Sequence, residues 1–411
     1  MKMKLSKKHS KMVLLPRTNL RLFFTVFVTI AALSISVLII VAQQAQTRAL
    51  LRYIHIPSTS LPIEQIFSLR KEDDYFTESS GDDDFTTSTN DLPESSPSSE
   101  RRRSLLIFGA DRSGTTYISR MFSEDPDIFM IYEPLWVSKR WRKEEPDKDW
   151  SRSELEVVNG ILSCDFVNFR FANKFLAHTS RNWAAAPFKN PFQTENFCNV
   201  SEKGIKSCPD FSSVPEFASQ ACATKYKHSV TKVAQVRSPG KLISSLVPQV
   251  FEENPETDIR VIQILRDPRG SLDSRIKLGW MPKHTSPAFK HAVQYACKKT
   301  AENVKFGRSL PRKYQDRYME VYYRDIAMFP IKTAMKMYNF ASFDIPENLL
   351  KWVVLNTSPS KEALAAEAEK SFSSVRNSSS NVGKWRNAPT EQNRIIEEEC
   401  SEFMKLIGIE K

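Results

Sequence analysis

The chain has 411 residues, a formal charge of +11 and a pI near 9.2. The length allows one large catalytic domain plus accessory segments, and the charge points to acidic partners. No zinc-ligand spacing, RNP-like aromatic motif or basic repeat is present, which argues against nucleic acid. A sulfated or carboxylated glycan, or a polyanionic cofactor, suits the same charge.

Residues 1–21 carry Lys2, Lys4, Lys7, Lys8, Lys11, Arg17 and Arg21 and no acidic residue. Leu22 to Ala42 is then apolar apart from Thr25, Thr29, Ser34 and Ser36. At ~1.5 Å per residue a helix of this length spans about 30 Å, the hydrocarbon thickness. A cleaved signal peptide competes with this reading, but the run is long and Ala42-Gln43-Gln44 is a poor cleavage site. The positive charge predicts a cytosolic N-terminus and a lumenal remainder, a single-pass type II topology. Residues 43–103 read as a disordered stem: from Glu72 to Glu100 the composition is Ser, Thr, Asp, Glu and Pro with few apolar residues. Arg101–Arg103 is either a charged collar or a basic cleavage site.

The lumenal domain is expected over 104–411, and it opens on its most informative stretch, Leu105 to Trp136. Leu105, Leu106, Ile107 and Phe108 suit a fully buried strand. A polar loop from Gly109 to Gly114 follows, through Asp111, Arg112 and Ser113, and Thr115, Thr116 and Tyr117 open a helix. Such a loop aims backbone N–H groups and a helix N-terminus at one point, a site for phosphate or sulfate. The spacing nearly matches the nucleotide-binding P-loop, but Thr115 stands where that motif has lysine and the basic residue falls earlier, at Arg112. A strand at Ile128–Tyr132 ends at Glu133-Pro134-Leu135-Trp136, which puts a carboxylate where ligand crevices form in α/β sheets.

A second strand–turn–helix lies at Ile259–Arg275. Val261 to Leu265 is apolar. Arg266, Asp267, Pro268 and Arg269 make the turn, and Gly270, Ser271, Leu272, Asp273 and Ser274 begin a helix. The pair of loops resembles that of sulfotransferases that use 3′-phosphoadenylyl sulfate (PAPS). The fuller pattern, Arg112-Ser113-Gly114-Thr115-Thr116-Tyr117, then Tyr132-Glu133-Pro134-Leu135-Trp136, then Arg266-Asp267-Pro268-Arg269, resembles the Golgi carbohydrate 6-O-sulfotransferases, which act on galactose, N-acetylgalactosamine or N-acetylglucosamine.

The resemblance runs with gaps from Leu105 to Ile409. It implies a P-loop-like parallel sheet flanked by helices, PAPS as sulfuryl donor, no metal, a glycan or proteoglycan acceptor, a Golgi membrane location and, as in many such stemmed enzymes, a homodimer. It assigns Arg112 to the 5′-phosphosulfate and leaving oxygen, residues 111–117 to the same group, and residues 266–274 to the 3′-phosphate, with Arg266 and Ser274 as its direct ligands. Glu133 is a candidate general base; an ion pair with a motif arginine is the alternative. A lumenal P-loop-type kinase and an inactive glycan-binding protein are the competing functions.

Elsewhere, 137–226 is aromatic and basic and is read as an insertion that builds part of the acceptor groove. His228 to Val236 is a strand candidate. Its Lys232, and Arg237 just beyond it, either touch the transferring group or are solvated. Helices are expected over 241–251, 289–308, 330–340, 346–355 and 391–406, and a strand over 318–323. The Tyr323-Arg324-Asp325 corner is read as structural. Trp385, in Gly383-Lys384-Trp385-Arg386, either stacks on a ligand or packs in the core, with packing preferred. Six cysteines permit up to three disulfides among fifteen pairings. Asn199, Asn356 and Asn377 are glycosylation sequons.

Overall fold

Four consecutive apolar residues can form a strand only if both sheet faces are covered. In the computed structural model Leu105–Phe108 is the centre of strand β1 (Arg102–Gly109), and all four side chains are fully buried. The structure describes residues 101–409 apart from 147–148, 180–189, 203, 205, 368–369 and 371–372. The basic tail, the expected span at 22–42 and nearly all of the stem lie outside the described residues. Among the described residues, no helix is long and apolar enough to cross a membrane.

The other strands of this sheet are β2 (Ile128–Tyr132), β3 (His228–Ala234), β4 (Thr257–Leu265) and β5 (Tyr318–Tyr322). They lie in the order β2–β3–β1–β4–β5, with every neighbouring pair parallel. The helices used below are α1 (Thr115–Ser123), α2 (Ser151–Ser163), α3 (Pro215–Lys225), α4 (Pro268–Lys277), α5 (Phe289–Arg308), α6 (Tyr323–Met328), α7 (Pro330–Ala341), α8 (Leu349–Thr357), α9 (Thr390–Glu399) and α10 (Ser401–Leu406). Alternation along β1 splits the core in two. Leu105 and Ile107 pack with Ile118, Met121 and Phe122 of α1 and Tyr338 of α7. Leu106 and Phe108 face Val157, Val158 and Ile161 of α2.

The segment 137–226, read as a groove-building insertion, belongs to this second layer. Trp141, Trp150, Phe166, Phe175, Phe192, Phe197 and Phe211 are almost wholly buried, and Phe129 of β2 packs edge-on to Phe166 and Phe192. Each large ring removes roughly 150–250 Å² from water, so the aromatic richness reflects a core. The basic triplet also joins the fold: the Arg102 guanidinium donates to Tyr226 O at 3.0 Å and to Ser229 Oγ at 2.9 Å.

Three expected helices differ. Over 241–251 the chain makes short 3-10 turns and enters a helix only at Val247–Glu253, because Gly240 (φ 57°) and Lys241 (φ 59°) are left-handed. The helix expected over 346–355 runs instead as α8, from Leu349 to Thr357. The closing helix is two, α9 and α10, interrupted at Cys400. One sequon also changes standing. Asn356 is buried in α8, its Nδ2 donating to Trp352 O at 2.9 Å and its Oδ1 accepting from Ser374 Oγ at 2.7 Å, which leaves no room for a glycan.

All six cysteines are paired, as Cys164–Cys222, Cys198–Cys208 and Cys297–Cys400. The first ties the end of α2 to α3. The last ties α5 to the break between α9 and α10 across 103 residues. Constraining so long a loop in the unfolded chain is worth several kcal/mol. Cys297→Ser with Cys400→Ser should therefore lower the unfolding free energy by about 2–5 kcal/mol in a denaturant titration.

Candidate active site

Neighbouring parallel strands deliver their C-terminal loops to the same edge. Gly109 of β1 sits opposite Ile264 of β4, so the loops after them emerge side by side, at the point where the chain turns outward in opposite directions. Three contacts fasten them. Arg266 Nη1 donates to Arg112 O at 2.7 Å across 154 residues, Arg112 Nε to Ser274 Oγ at 2.9 Å, and Arg275 Nε to Asp111 O at 3.1 Å. Arg112 (φ 64°) and Gly114 (φ 101°) are left-handed, and the loop curls into the N-terminus of α1, where Tyr117 N donates to Gly114 O at 3.1 Å and the N–H groups of Thr115 and Thr116 precede any acceptor within the helix. Tyr323 closes the other side: its ring lies 4.0 Å from the Arg266 guanidinium and would sit 2.8 Å from a Cβ at position 114. The corner read as structural is therefore part of the site.

A cavity of about 280 Å³ opens between the loops. Arg112, Gly114, Thr115, Thr116 and Tyr117 line it from the first loop, and Arg266, Gly270, Asp273 and Ser274 from the second. Its far wall is Ser373, Ser374, Arg376, Lys384 and Trp385. That wall is held by Arg120 Nη1, which donates to Ser374 Oγ at 2.9 Å. Five basic side chains line the cavity against one carboxylate, Asp273, which is bonded to Lys277 and Gln392. Burial lowers the pKa of Arg112, and repulsion from Arg376 and Arg266 adds to it; burial likewise lowers Arg266. A cluster of buried, mutually repelling guanidiniums fits a polyanion, which would supply the missing negative charge. The sequence flagged Lys384 and Trp385 but missed Arg376 and Lys277, which sit in no motif.

Other residues of the two stretches turn elsewhere. Ser113 Oγ is buried without a hydrogen-bond partner. Asp267 caps α4, accepting from Arg269 N at 2.9 Å. Arg269 pairs with Asp267 and with Glu397 of α9, and its guanidinium lies 3.8 Å from the Trp385 ring. Pro268 and Ser271 are buried, and Leu272 packs into the core with Phe289 and Val293. Trp385 is half-buried between Arg269 and Arg386 rather than in a core.

Glu133 stands at the end of β2 with a left-handed backbone (φ 49°). Its carboxylate pairs with the buried ammonium of Lys232 and, at 2.8 Å, with Arg237 Nε. Burial alone would raise its pKa, but the two cations outweigh that and hold it at about 2. Lys232 is raised, because Tyr132 and Glu133 outweigh its own desolvation. This is the ion-paired alternative, made with Lys232 and Arg237 of the β3 end. Tyr132 links the cluster to α1: its ring lies 5.0 Å from Lys232 Nζ and its hydroxyl 3.1 Å from Thr116 Oγ1. His228 sits at the opposite end of β3, stacked 4.0 Å from Phe343, and burial pushes its pKa down to about 4.

Residues 102–408 match the sulfotransferase domain family. Carbohydrate sulfotransferase 3 of Homo sapiens is 25% identical, the alignment covering 75% of this chain and 67% of that protein. The protein of that name from Tetronarce californica is 27% identical, over 75% and 72%. Carbohydrate sulfotransferase 1 of Danio rerio is 23% identical, over 72% and 75%. Among solved structures, a mouse sulfotransferase complexed with PAP is 13% identical over 74% of this chain and 84% of its own, with a TM-score of 0.39.

Two outcomes are expected. Gly114→Ala combines a left-handed backbone with a contact on Tyr323, so the variant should lose about 1–2 kcal/mol of stability, read as a lowered Tm. For Glu133 the folded pKa lies below the ordinary 4.5, so its ion pairs stabilise fully above about pH 4.5 and fade as the pH falls towards 2. Glu133→Gln should flatten that part of the stability–pH curve by about 3 kcal/mol; an unchanged slope would remove the ion cluster from the account.

Proposed function

The chain belongs to the sulfotransferase domain family, and from that premise we propose that it transfers the sulfuryl group of PAPS to a hydroxyl, the 6-O position, of a galactose, N-acetylgalactosamine or N-acetylglucosamine residue in a glycan chain. The observation that carries the reading is the cavity where Arg112, Arg266 and the first turn of α1 converge. The relatives' shared description as carbohydrate sulfotransferases supports a sugar acceptor.

The residues divide the work by position. Arg112, with the N–H groups and hydroxyls of Thr115 and Thr116, holds the 5′-phosphosulfate and takes up the charge that builds on the bridging oxygen as its S–O bond breaks. Arg266 and Ser274 hold the 3′-phosphate, and Arg376 and Lys384 add positive charge from the far wall. Donors fixed in advance in a half-enclosed site need little reorganisation when that charge develops. A carboxylate held at about pKa 2 has little driving force to take a proton from a sugar hydroxyl. Glu133 is therefore assigned to positioning Lys232 and Arg237.

The same reading makes residues 22–42 a Golgi membrane anchor, 43–103 a stem and 104–411 the lumenal domain of a homodimer. Three disulfides among the described residues suit an oxidising lumen. Asn199 and Asn377, both exposed, are the sequons open to glycosylation.

The test is transfer of labelled sulfate from PAPS by the full chain to a panel of desulfated keratan, chondroitin and N-acetylglucosamine-terminated glycans. Arg112→Ala should lower kcat about 100- to 1,000-fold. No binding of PAP, the product nucleotide, by the wild-type chain would overturn the donor assignment.

A further inference from the structure

The far wall of the donor cavity is the part that no regular element carries: residues 373–376 are neither strand nor helix. Yet this stretch brings a third guanidinium up to two others. The charge of Arg376 adds to the burial that lowers the pKa of Arg112 and of Arg266, so three like charges repel within one cavity. An irregular segment under that repulsion moves away unless its main chain is tied down.

One residue outside the cavity ties it at two points. Asn356 lies in the last turn of α8, where main-chain carbonyls have no donor within the helix. Its carbonyl accepts from Arg376 N at 3.0 Å, and its side-chain Oδ1 accepts from Ser374 Oγ at 2.7 Å. The amide has one workable orientation, because Nδ2 is committed to Trp352 O at 2.9 Å, one turn back. The Ser374 hydroxyl has a single proton to give. It gives this proton to Asn356 and accepts from Arg120 Nη1 of α1 at 2.9 Å. Arg376 Nε is in turn held on Ser373 O at 3.0 Å, which sets the direction in which the guanidinium leaves the wall. Asn356 itself is 6% exposed and does not line the cavity, so it reaches a ligand only through Ser374 and Arg376.

We propose that Asn356 is a positioning residue for the donor, holding Arg376 against the repulsion of Arg112 and Arg266 so that the three guanidiniums meet the polyanion together. The proposal rests on the sulfotransferase reading above, which supplies the polyanion. It also gives the Asn356-Thr357-Ser358 sequon a second meaning. The nitrogen a glycan would take is the one that orients Oδ1 towards Ser374, so a chain modified there cannot close its far wall.

The test measures PAP binding to the full chain by calorimetry over a series of salt concentrations. Asn356→Ala should weaken PAP about tenfold and reduce the salt dependence of binding, as Arg376→Ala does. The double variant should bind no more weakly than Arg376→Ala alone, because the first loss acts through the second. Ser374→Ala cuts the same link from the other side and should show the same non-additivity, which keeps the test open if Asn356→Ala fails to fold. Ser358→Ala abolishes the sequon but spares the Asn356 amide, and should bind PAP like the wild type. Mass analysis of the PAP-binding wild type should find Asn356 unmodified. Additive losses in the double variants would make Asn356 a packing residue and overturn the proposal, as would a glycan on Asn356 in chains that bind PAP. Failure of the wild type to bind PAP would instead strike the sulfotransferase reading, and the proposal with it.

Discussion

The two halves of the site turn on the guanidinium of Arg266 on the carbonyl of Arg112, the shortest of the three hydrogen bonds that join them. A buried cation is expensive unless polar groups surround it, and this one is met by a main-chain oxygen and the face of Tyr323. The carbonyl is available because Arg112 is left-handed. The side chain of Arg112 is meanwhile directed to Ser274. Each loop is thus completed by the other, and both depend on β1 lying next to β4.

Electrostatics divide the strand ends into two regions. At the ends of β1 and β4, cations outnumber carboxylates and repel one another, an arrangement that favours an incoming polyanion. At the ends of β2 and β3, Lys232 and Arg237 are matched by Glu133, so the charge is internally satisfied. The first region is left with excess positive charge, whereas the second is internally paired. Tyr132 and Thr116 connect them, which places the ion-paired cluster beside the cavity that Thr116 lines.

The sheet and both phosphate-type loops were readable because their signals are local: an apolar run, a glycine-bounded turn, a helix start. Glu133 was readable as to position but not as to role, since nothing in the sequence near it shows that Lys232, 99 residues away, fills its hydrogen-bonding capacity. That 137–226 contributes a core layer was not legible, because a core made of Trp and Phe interleaved with Arg and Lys has no simple period. Arg376 was missed for a similar reason: it sits in a run of Ser, Val and Asn, and only the fold brings it to the cavity that Arg112 lines. The Lys241 turn reads as helix until its left-handed backbone is seen.

The far wall of the donor cavity comes from residues 373–385, and the Arg269–Trp385 stack is braced by Glu397. Because these residues lie close to the C-terminus, the far wall is the last part of the cavity to leave the ribosome. The first loop is made some 270 residues earlier. A chain that stops short of residue 373 carries all five strands of the parallel sheet and both loops but lacks the Arg376, Lys384 and Trp385 side of the cavity.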